Sequence, residues 1–407
     1  NFLKLMPSLS KERRSSLTPN LEHFQNFSID PLNGKYGDFA KRTIAIYVIN
    51  PGPALSIIPL SERLADRGAQ VILKLAEPAL SSALYYFKNR IHPIGWGAEQ
   101  LTDILTCGHI NVDTVTRDML KIKNRNPRAR IITIDDNFDM TVPIIRKLIS
   151  LQIPPALSFI MNPLTKQTIE EEFQRQGATK SRVCVTNNPA FERFYNDINQ
   201  NPSDRTLFRK VIGIPENKTV IAYIGFPEGD YPKEYHDFVF ESLRRSLNHV
   251  PDKSAIIYWP HGRGLDRLPK QLTNLPDHIQ AIFHPRSWWK NRNIGLHKQL
   301  IGSDIALMTN STTSVEAFTA WGKRRFPVAV PIDITLLDDF PRLRINESLR
   351  AQHLIPYIES RNQLIHTLPK IIKSRRDWEP INPEQRLHDL GWNNSPGEQI
   401  VSELLNI

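Results

Sequence analysis

Three short stretches of this sequence hold residue types that could do chemistry. The first is Asn310-Ser311-Thr312-Thr313-Ser314, small polar residues between an apolar run at 305–308 and a helix-like segment at 315–321. Hydroxyls and free N–H groups at the start of a helix suit a phosphate. The same residues fit a structural pattern equally well. Thr313 followed three residues later by Glu316 is a capping box, which stabilises a helix without binding anything. The second stretch is Asp135-Asp136-Asn137-Phe138-Asp139, directly after the apolar run 130–134. Carboxylates crowded in this way raise one another's pKa and can produce a general base. The alternative there is a solvated turn that caps the next helix. The third, Pro260-His261-Gly262-Arg263-Gly264, sets a histidine and an arginine in a glycine turn after the run 255–259.

All three stretches follow a strand-like apolar run, and that regularity predicts the fold. Residues 305–308, the polar turn, a helix over 315–321 stopped by Gly322, and a run at 326–330 read as a βαβ unit. Such a unit requires a parallel sheet, in which ligands sit at the carboxyl ends of the strands. An equivalent unit opens the chain's first half, with a strand at 43–49, a helix at 54–67 ended by Gly68, and a strand at 71–75. Asn50-Pro51-Gly52-Pro53 is expected to be the turn between them, where a nucleotide or acceptor could approach the backbone at Gly52. It is not a GxGxxG fingerprint, which argues against a dinucleotide site.

The alternation continues with strands expected at 104–107, 130–134, 156–161 and 182–186, and helices at 79–89, 113–123, 143–151 and 166–176. Residues 196–217 are rich in Asn, Asp and Pro, interrupted by one amphipathic piece at 206–212, and mark a domain boundary. A fresh strand at 219–224 then leads into a turn at Gly225. A helix at 237–247, strands at 255–259 and 281–284, and helices at 296–300, 346–351, 360–375 and 398–405 complete the pattern. The expectation is an α/β protein of two doubly wound domains. A lead-in of residues 1–40, extended with one short helix around 7–17, precedes a first domain at 41–205. A second domain at 206–385 and a C-terminal helix within 386–407 follow.

The totals fit an ordinary soluble globular chain: 407 residues, 40% apolar and 23% charged. Cys107 and Cys184, both in apolar runs, are expected to be reduced core residues of a cytoplasmic protein. No apolar core of a signal peptide is read at the start of the given sequence. Cysteines and histidines show no metal-ligand spacing, so no metal is expected. No run approaches the ~20 apolar residues of a membrane-spanning helix. The net charge of +10 suits a solvated basic surface, anionic substrates or an acidic membrane face. Nucleic acid is disfavoured, because the basic residues are spread along the chain and no nucleic-acid module is visible. For peripheral membrane contact the candidates are the run 370–376 and Trp288-Trp289-Lys290; solvated surface and core packing are their respective alternatives.

Two consecutive doubly wound domains with a last helix free to pack back resemble the GT-B glycosyltransferase architecture. Val185-Thr186-Asn187-Asn188-Pro189-Ala190-Phe191 is similar to the VTGNP stretch that closes the first domain in non-hydrolysing UDP-N-acetylglucosamine 2-epimerases and their transferase relatives. Ile212-Gly213-Ile214-Pro215-Glu216-Asn217-Lys218-Thr219-Val220 resembles the linker and first strand of a GT-B second domain, and Ser303-Asp304 through Gly322-Lys323 resembles the donor-site segment. The resemblance implies two domains facing each other across a cleft, with the C-terminal helix on the first. Ser311, Thr312 and Thr313, with Asn310, would hold the donor phosphates, and Glu316 the nucleotide ribose. Gly225 would let the phosphate come close. His261 occupies the place of the His-Pro motif of bacterial sialyltransferases and teichoic-acid-type polymerases, although Gly262 follows it; His284-Pro285 has the literal dipeptide one strand later. Arg263 and Lys323 would also meet the phosphate. Asp135-Asp136-Asn137 falls where sialyltransferases carry an acidic pair followed by glycine, so Asp136 or Asp135 would deprotonate the acceptor.

The activity so implied is metal-independent transfer of a sugar from a nucleotide-sugar co-substrate to a bacterial surface-polysaccharide or lipid-linked acceptor, with no other cofactor. A UDP-sugar 2-epimerase or hydrolase on the same scaffold is the alternative enzyme. A catalytically silent glycan- or partner-binding protein is the alternative from another class.

Overall fold

The computed structural model describes residues 24–30, 37–48, 51–76, 79–87, 90–107, 112–135, 141–189, 192, 204–225, 233–250, 253–260, 266–292, 294, 296–309, 328–332, 361–373, 385, 388–389, 391–392 and 395–407. By contact it forms two compact units, residues 1–134 with 143–156, and 135–142 with 157–407.

The first sheet contains β1 (Gln25–Ile29), β2 (Thr43–Val48), β3 (Gln70–Leu75), β4 (Ile91–Pro93), β5 (Asp103–Cys107), β6 (Arg130–Ile134), β7 (Leu157–Ile160) and β8 (Arg182–Val185). Its order is β4–β1–β3–β2–β5–β6–β7–β8. The pairs β2–β3, β2–β5, β5–β6 and β7–β8 are parallel, as alternating strands and helices require. The helices between them are α1 (Pro51–Asp66), α2 (Ala79–Phe87), α3 (Val112–Arg125), α4 (Val142–Ser150) and α5 (Pro163–Arg175). Strands buried on both faces read as continuous apolar runs, and β2, β3, β5 and β6 do so.

The sheet's antiparallel edge differs from the expectation. Part of the supposed lead-in is β1, which pairs antiparallel with both β3 and β4. Its alternation buries only Phe27 and Ile29, so it carries the weak signature of a half-covered edge strand. The lead-in is also tied down by a buried lysine. Lys74 Nζ donates to Tyr47 Oη at 2.9 Å and pairs with Asp118. It lies over the rings of Phe24, Tyr47 and Trp96 at 5.5, 4.5 and 4.8 Å. Burial lowers the Lys74 pKa, and the Asp118 carboxylate opposes that shift. The helix expected around 7–17 lies outside the described residues.

The second sheet contains β9 (Thr219–Ile224), β10 (Ser254–Trp259), β11 (Ile279–Phe283), β12 (Ile305–Thr309) and β13 (Val328–Ile332). Its order is β11–β10–β9–β12–β13, with every pair parallel. The remaining helices are α6 (Asp204–Ile212), α7 (Lys233–Leu247), α8 (Arg286–Asn291), α9 (Leu296–Gly302), α10 (Arg361–Lys373) and α11 (Pro396–Leu405). One face of the sheet is covered by Val239, Phe240 and Leu243 of α7 with Leu364, Leu368 and Ile371 of α10. The other is covered by Phe208 and Ile212 of α6 with Trp289 and Ile294. Trp289 is therefore core, as its alternative reading held.

Helices α6 and α9 meet at closest approach through Gly302, where a Cβ would lie 2.0 Å from Phe208 Cδ1. Phe208 is buried and stacks on Trp289, so neither ring can retreat without opening the core. Gly302→Ala is expected to destabilise by about 1–3 kcal/mol through overpacking. Urea unfolding should show a lower midpoint at unchanged slope.

The last helix packs against the end of β8. Gln399 donates to Val185 O at 3.0 Å and accepts from Thr186 Oγ1 at 2.9 Å, and Arg182 pairs with Glu403 at 2.8 Å. Glu192 accepts from Gly397 N at 3.2 Å. Among the described residues no helix is long and apolar enough to cross a membrane.

Candidate functional site

In the second sheet the strand order reverses between β9 and β12. Open parallel sheets bind ligands outside the carboxyl ends of their strands at that reversal. Strand β9 ends at Ile224 and β12 at Thr309, and Gly225 directly follows the first of them. Gly225 lies against β10, donating its N–H to Trp259 O at 2.8 Å. A Cβ there would lie 3.1 Å from Tyr258 Oη and 3.2 Å from Trp259 O. Glycine lets the backbone run this close to its neighbour.

Beneath Gly225 the side chains form an aromatic layer. Tyr258 stacks on Tyr223 with centroids 5.9 Å apart, and both meet the edge or face of Phe240 at 5.6 Å. The Tyr223 hydroxyl is buried and has no hydrogen-bond partner among the described residues. Burial, with Tyr258 adding to it, pushes its pKa well above 10, so the phenol stays neutral. Asn310, Ser311, Thr312, Thr313, Glu316 and Lys323 lie outside the described residues, as do His261 and Arg263. Their segments follow β12 and β10, which end on the same edge of the sheet. His284 stacks face to face on Trp288 at 3.7 Å, and burial, then Arg292, lowers its pKa, keeping the ring neutral at pH 7.

The amino end of β12 is held by a buried charge network. Asp304 accepts from Val220 N at 2.7 Å and from Arg209 Nη2 at 2.7 Å, and it pairs with Arg205. Burial alone would raise the Asp304 pKa. The Val220 N–H and the two guanidinium groups more than offset it and hold the carboxyl below its ordinary value. This network locks β12 beside β9, the pair whose ends define the reversal.

In the first sheet the order reverses at β2, which lies between β3 and β5. Gly52 follows β2 at that point, but in the first turn of α1 and not in the expected Asn-Pro-Gly-Pro turn. Proline is well tolerated at the first helical position, where its missing N–H would be unpaired in any case, so Pro51 starts the helix. Asp135 follows β6. It is fully buried, and its carboxylate accepts from Thr141 N at 2.9 Å, Thr141 Oγ1 at 2.5 Å and Met161 N at 3.2 Å. These bonds tie Asp135 to Thr141 and Met161. Asp136 itself lies outside the described residues.

Sequence reasoning overlooked Tyr223, Tyr258 and the arginine network. A usable signal existed for the last: Arg205 and Arg209 are four apart on one amphipathic helix, and Asp304 directly precedes the apolar run 305–308. Among the described residues no group of three His, Cys, Asp or Glu side chains could hold a metal ion.

No protein-family model matches this sequence, and no curated protein does. Solved structures do match. The S. aureus MnaA structure with UDP is similar at a TM-score of 0.57 and 15% identity, over 89% of this chain and 96% of that one. A UDP-GlcNAc 2-epimerase from Neisseria meningitidis, bound to UDP-GlcNAc, gives 0.56 and 13% over 90% and 100% of the two chains. The UDP-GlcNAc 2-epimerase from Methanocaldococcus jannaschii gives 0.55 and 16%, again over 90% and 100%. At such identities the likeness concerns the fold, and the fold is the two-domain, Rossmann-like GT-B type.

Proposed function

We propose that the protein is an enzyme that moves a sugar from a nucleotide-sugar to a bacterial surface-polysaccharide or lipid-linked acceptor. The observation that carries this reading is the strand reversal between β9 and β12: Gly225 directly follows the first strand, and residues 310–316 come next in sequence after the second. In this reading Asn310, Ser311, Thr312 and Thr313 hold the donor phosphates at a helix start and Glu316 meets the ribose diol. Gly225 lets the phosphate approach. His261, Arg263 and Lys323 meet the charge that develops as the nucleotide leaves. Asp136 takes the proton of the acceptor hydroxyl, held in place by Asp135. Gly52 lines the acceptor side. The reaction so written needs no metal and no cofactor beyond its co-substrate.

A second reading, 2-epimerisation or hydrolysis of a UDP-sugar, is favoured by solved structures that resemble this chain, among them two UDP-GlcNAc 2-epimerases, one of them bound to UDP-GlcNAc. Both readings require a nucleotide. UDP, CMP, CDP or GDP at about 100 times its dissociation constant should add about 2.7 kcal/mol of stability. A thermal-shift series in which none of the four raises the midpoint would refute both. If UDP binds, incubating the protein with UDP-GlcNAc alone separates them. A 2-epimer, or free sugar formed without an acceptor, favours the second reading.

A further inference from the structure

Helix α6 is amphipathic in an unequal way. Phe208, Arg209 and Ile212 are buried beneath it, whereas Leu207 and Val211, one turn apart, are 57% and 41% exposed. They are two of the three large apolar side chains exposed among the described residues. Beside them is an open pocket of about 250 Å³, lined by Leu207, Phe208, Val211, Ile294, Arg292 and Lys298. Its floor is apolar and its rim cationic. The Arg292 guanidinium is held over the Trp288 ring, 4.0 Å from the centroid. Lys210 is exposed on α6 between Leu207 and Val211. From Arg286 to Gly302 the sequence carries Arg286, Lys290, Arg292 and Lys298 and no carboxylate, and of these Arg286 is paired with Asp266 at 3.9 Å. Apolar side chains that project through a ring of cations complement a surface with an anionic face and an apolar interior. A second copy of this chain is a poor occupant, because two such basic faces repel each other.

We propose that this face docks on an anionic lipid bilayer. Leu207 and Val211 enter the acyl boundary, and Arg292, Lys298 and Lys210 sit among the lipid phosphates. The surface belongs to the outer layer of the second sheet, away from the run 370–376, whose helix turns Leu368, Ile371 and Ile372 into the core. The proposal does not rest on the donor-site reading, which the nucleotide thermal-shift series tests separately.

The test is flotation of the full chain with vesicles of phosphatidylcholine alone or mixed with phosphatidylglycerol. Wild type should float only with the anionic vesicles. Arg292→Gln and Lys298→Gln should each lower partitioning roughly fivefold. Leu207→Ser with Val211→Ser should lower it on the order of tenfold, at an unchanged melting midpoint because both side chains are exposed. Lys180→Gln, on an exposed turn elsewhere, should leave it unchanged. The proposal is overturned if wild type fails to float, or floats equally with both vesicle types. It is overturned too if Lys180→Gln matches Arg292→Gln, which would make the effect one of net charge. A serine double variant that dissociates a dimer while floating like wild type would identify the face as a self-interface and overturn it as well.

Discussion

Replacing Arg209 with methionine is expected to destabilise the protein by about 3–5 kcal/mol. Arg209 is 1% exposed, and its guanidinium donates to Gly302 O at 3.2 Å, Glu216 O at 2.9 Å, Lys218 O at 3.2 Å and Asp304 Oδ2 at 2.7 Å. Removing it takes the donor from the buried Gly302 carbonyl and from the part-buried Glu216 and Lys218 carbonyls, and it takes a guanidinium from Asp304. Asp304→Asn should be costly for the converse reason, a buried cation losing its counter-charge. The double variant Arg209→Met with Asp304→Leu should lose less than the sum, because neither charge is left alone. The pH dependence has a definite sign. A carboxyl whose folded pKa lies below its ordinary 3.8 contributes stability that is full above that value and is lost as pH falls through the folded value. Urea unfolding should therefore show a constant gap between wild type and Asp304→Asn above pH 3.8, closing below it. A loss under about 1 kcal/mol in Arg209→Met, within the range of ordinary surface changes, would remove the network from its anchoring role.

That network also shows what the sequence could and could not disclose. Buried parallel strands are legible because each is a short apolar run between turn residues, and β6 and β9 fall on the expected residues at both ends. β1 and β4 are not legible, since one buries two side chains and the other is three residues long; pairing with β3 makes the first a strand. Pro51, Gly52 and Pro53 are turn-forming residues by composition, yet a proline-led helix start uses the same letters. That the candidate segments follow strand ends was legible, because each comes directly after an apolar run that forms a strand. The partner of each buried charge was not. Arg209 and Asp304 are 95 residues apart, and Asp135 finds Met161 from 26 residues away. Composition carries no trace of such pairings; only the cost of burying an unpaired charge hints that a partner exists.

The same distinction separates the two adjacent carboxylates, and it leads to the largest expected effect on activity. Asp136→Asn should lower turnover by about 10²–10⁴-fold, the usual contribution of a positioned general base, while nucleotide binding and the melting midpoint stay near wild type. Asp135→Asn should behave in the opposite way. Its carboxylate takes one hydroxyl and two backbone N–H donors in a fully buried setting. An amide offers one acceptor oxygen where two are used and turns an NH₂ toward a donor. Stability should fall by about 1–3 kcal/mol for the unmet group, and activity should fall with the loosened turn. Thermal unfolding and initial rates on the two variants, with the nucleotide-sugar the shift series identifies, resolve the roles. A base must be deprotonated to act, so wild-type kcat/KM should decline on the acid side, and that limb should vanish from the residual rate of Asp136→Asn. If Asp136→Asn keeps its turnover and its acid limb, the base lies elsewhere. If Asp135→Asn is as stable as wild type but inactive, the roles of the two carboxylates are reversed.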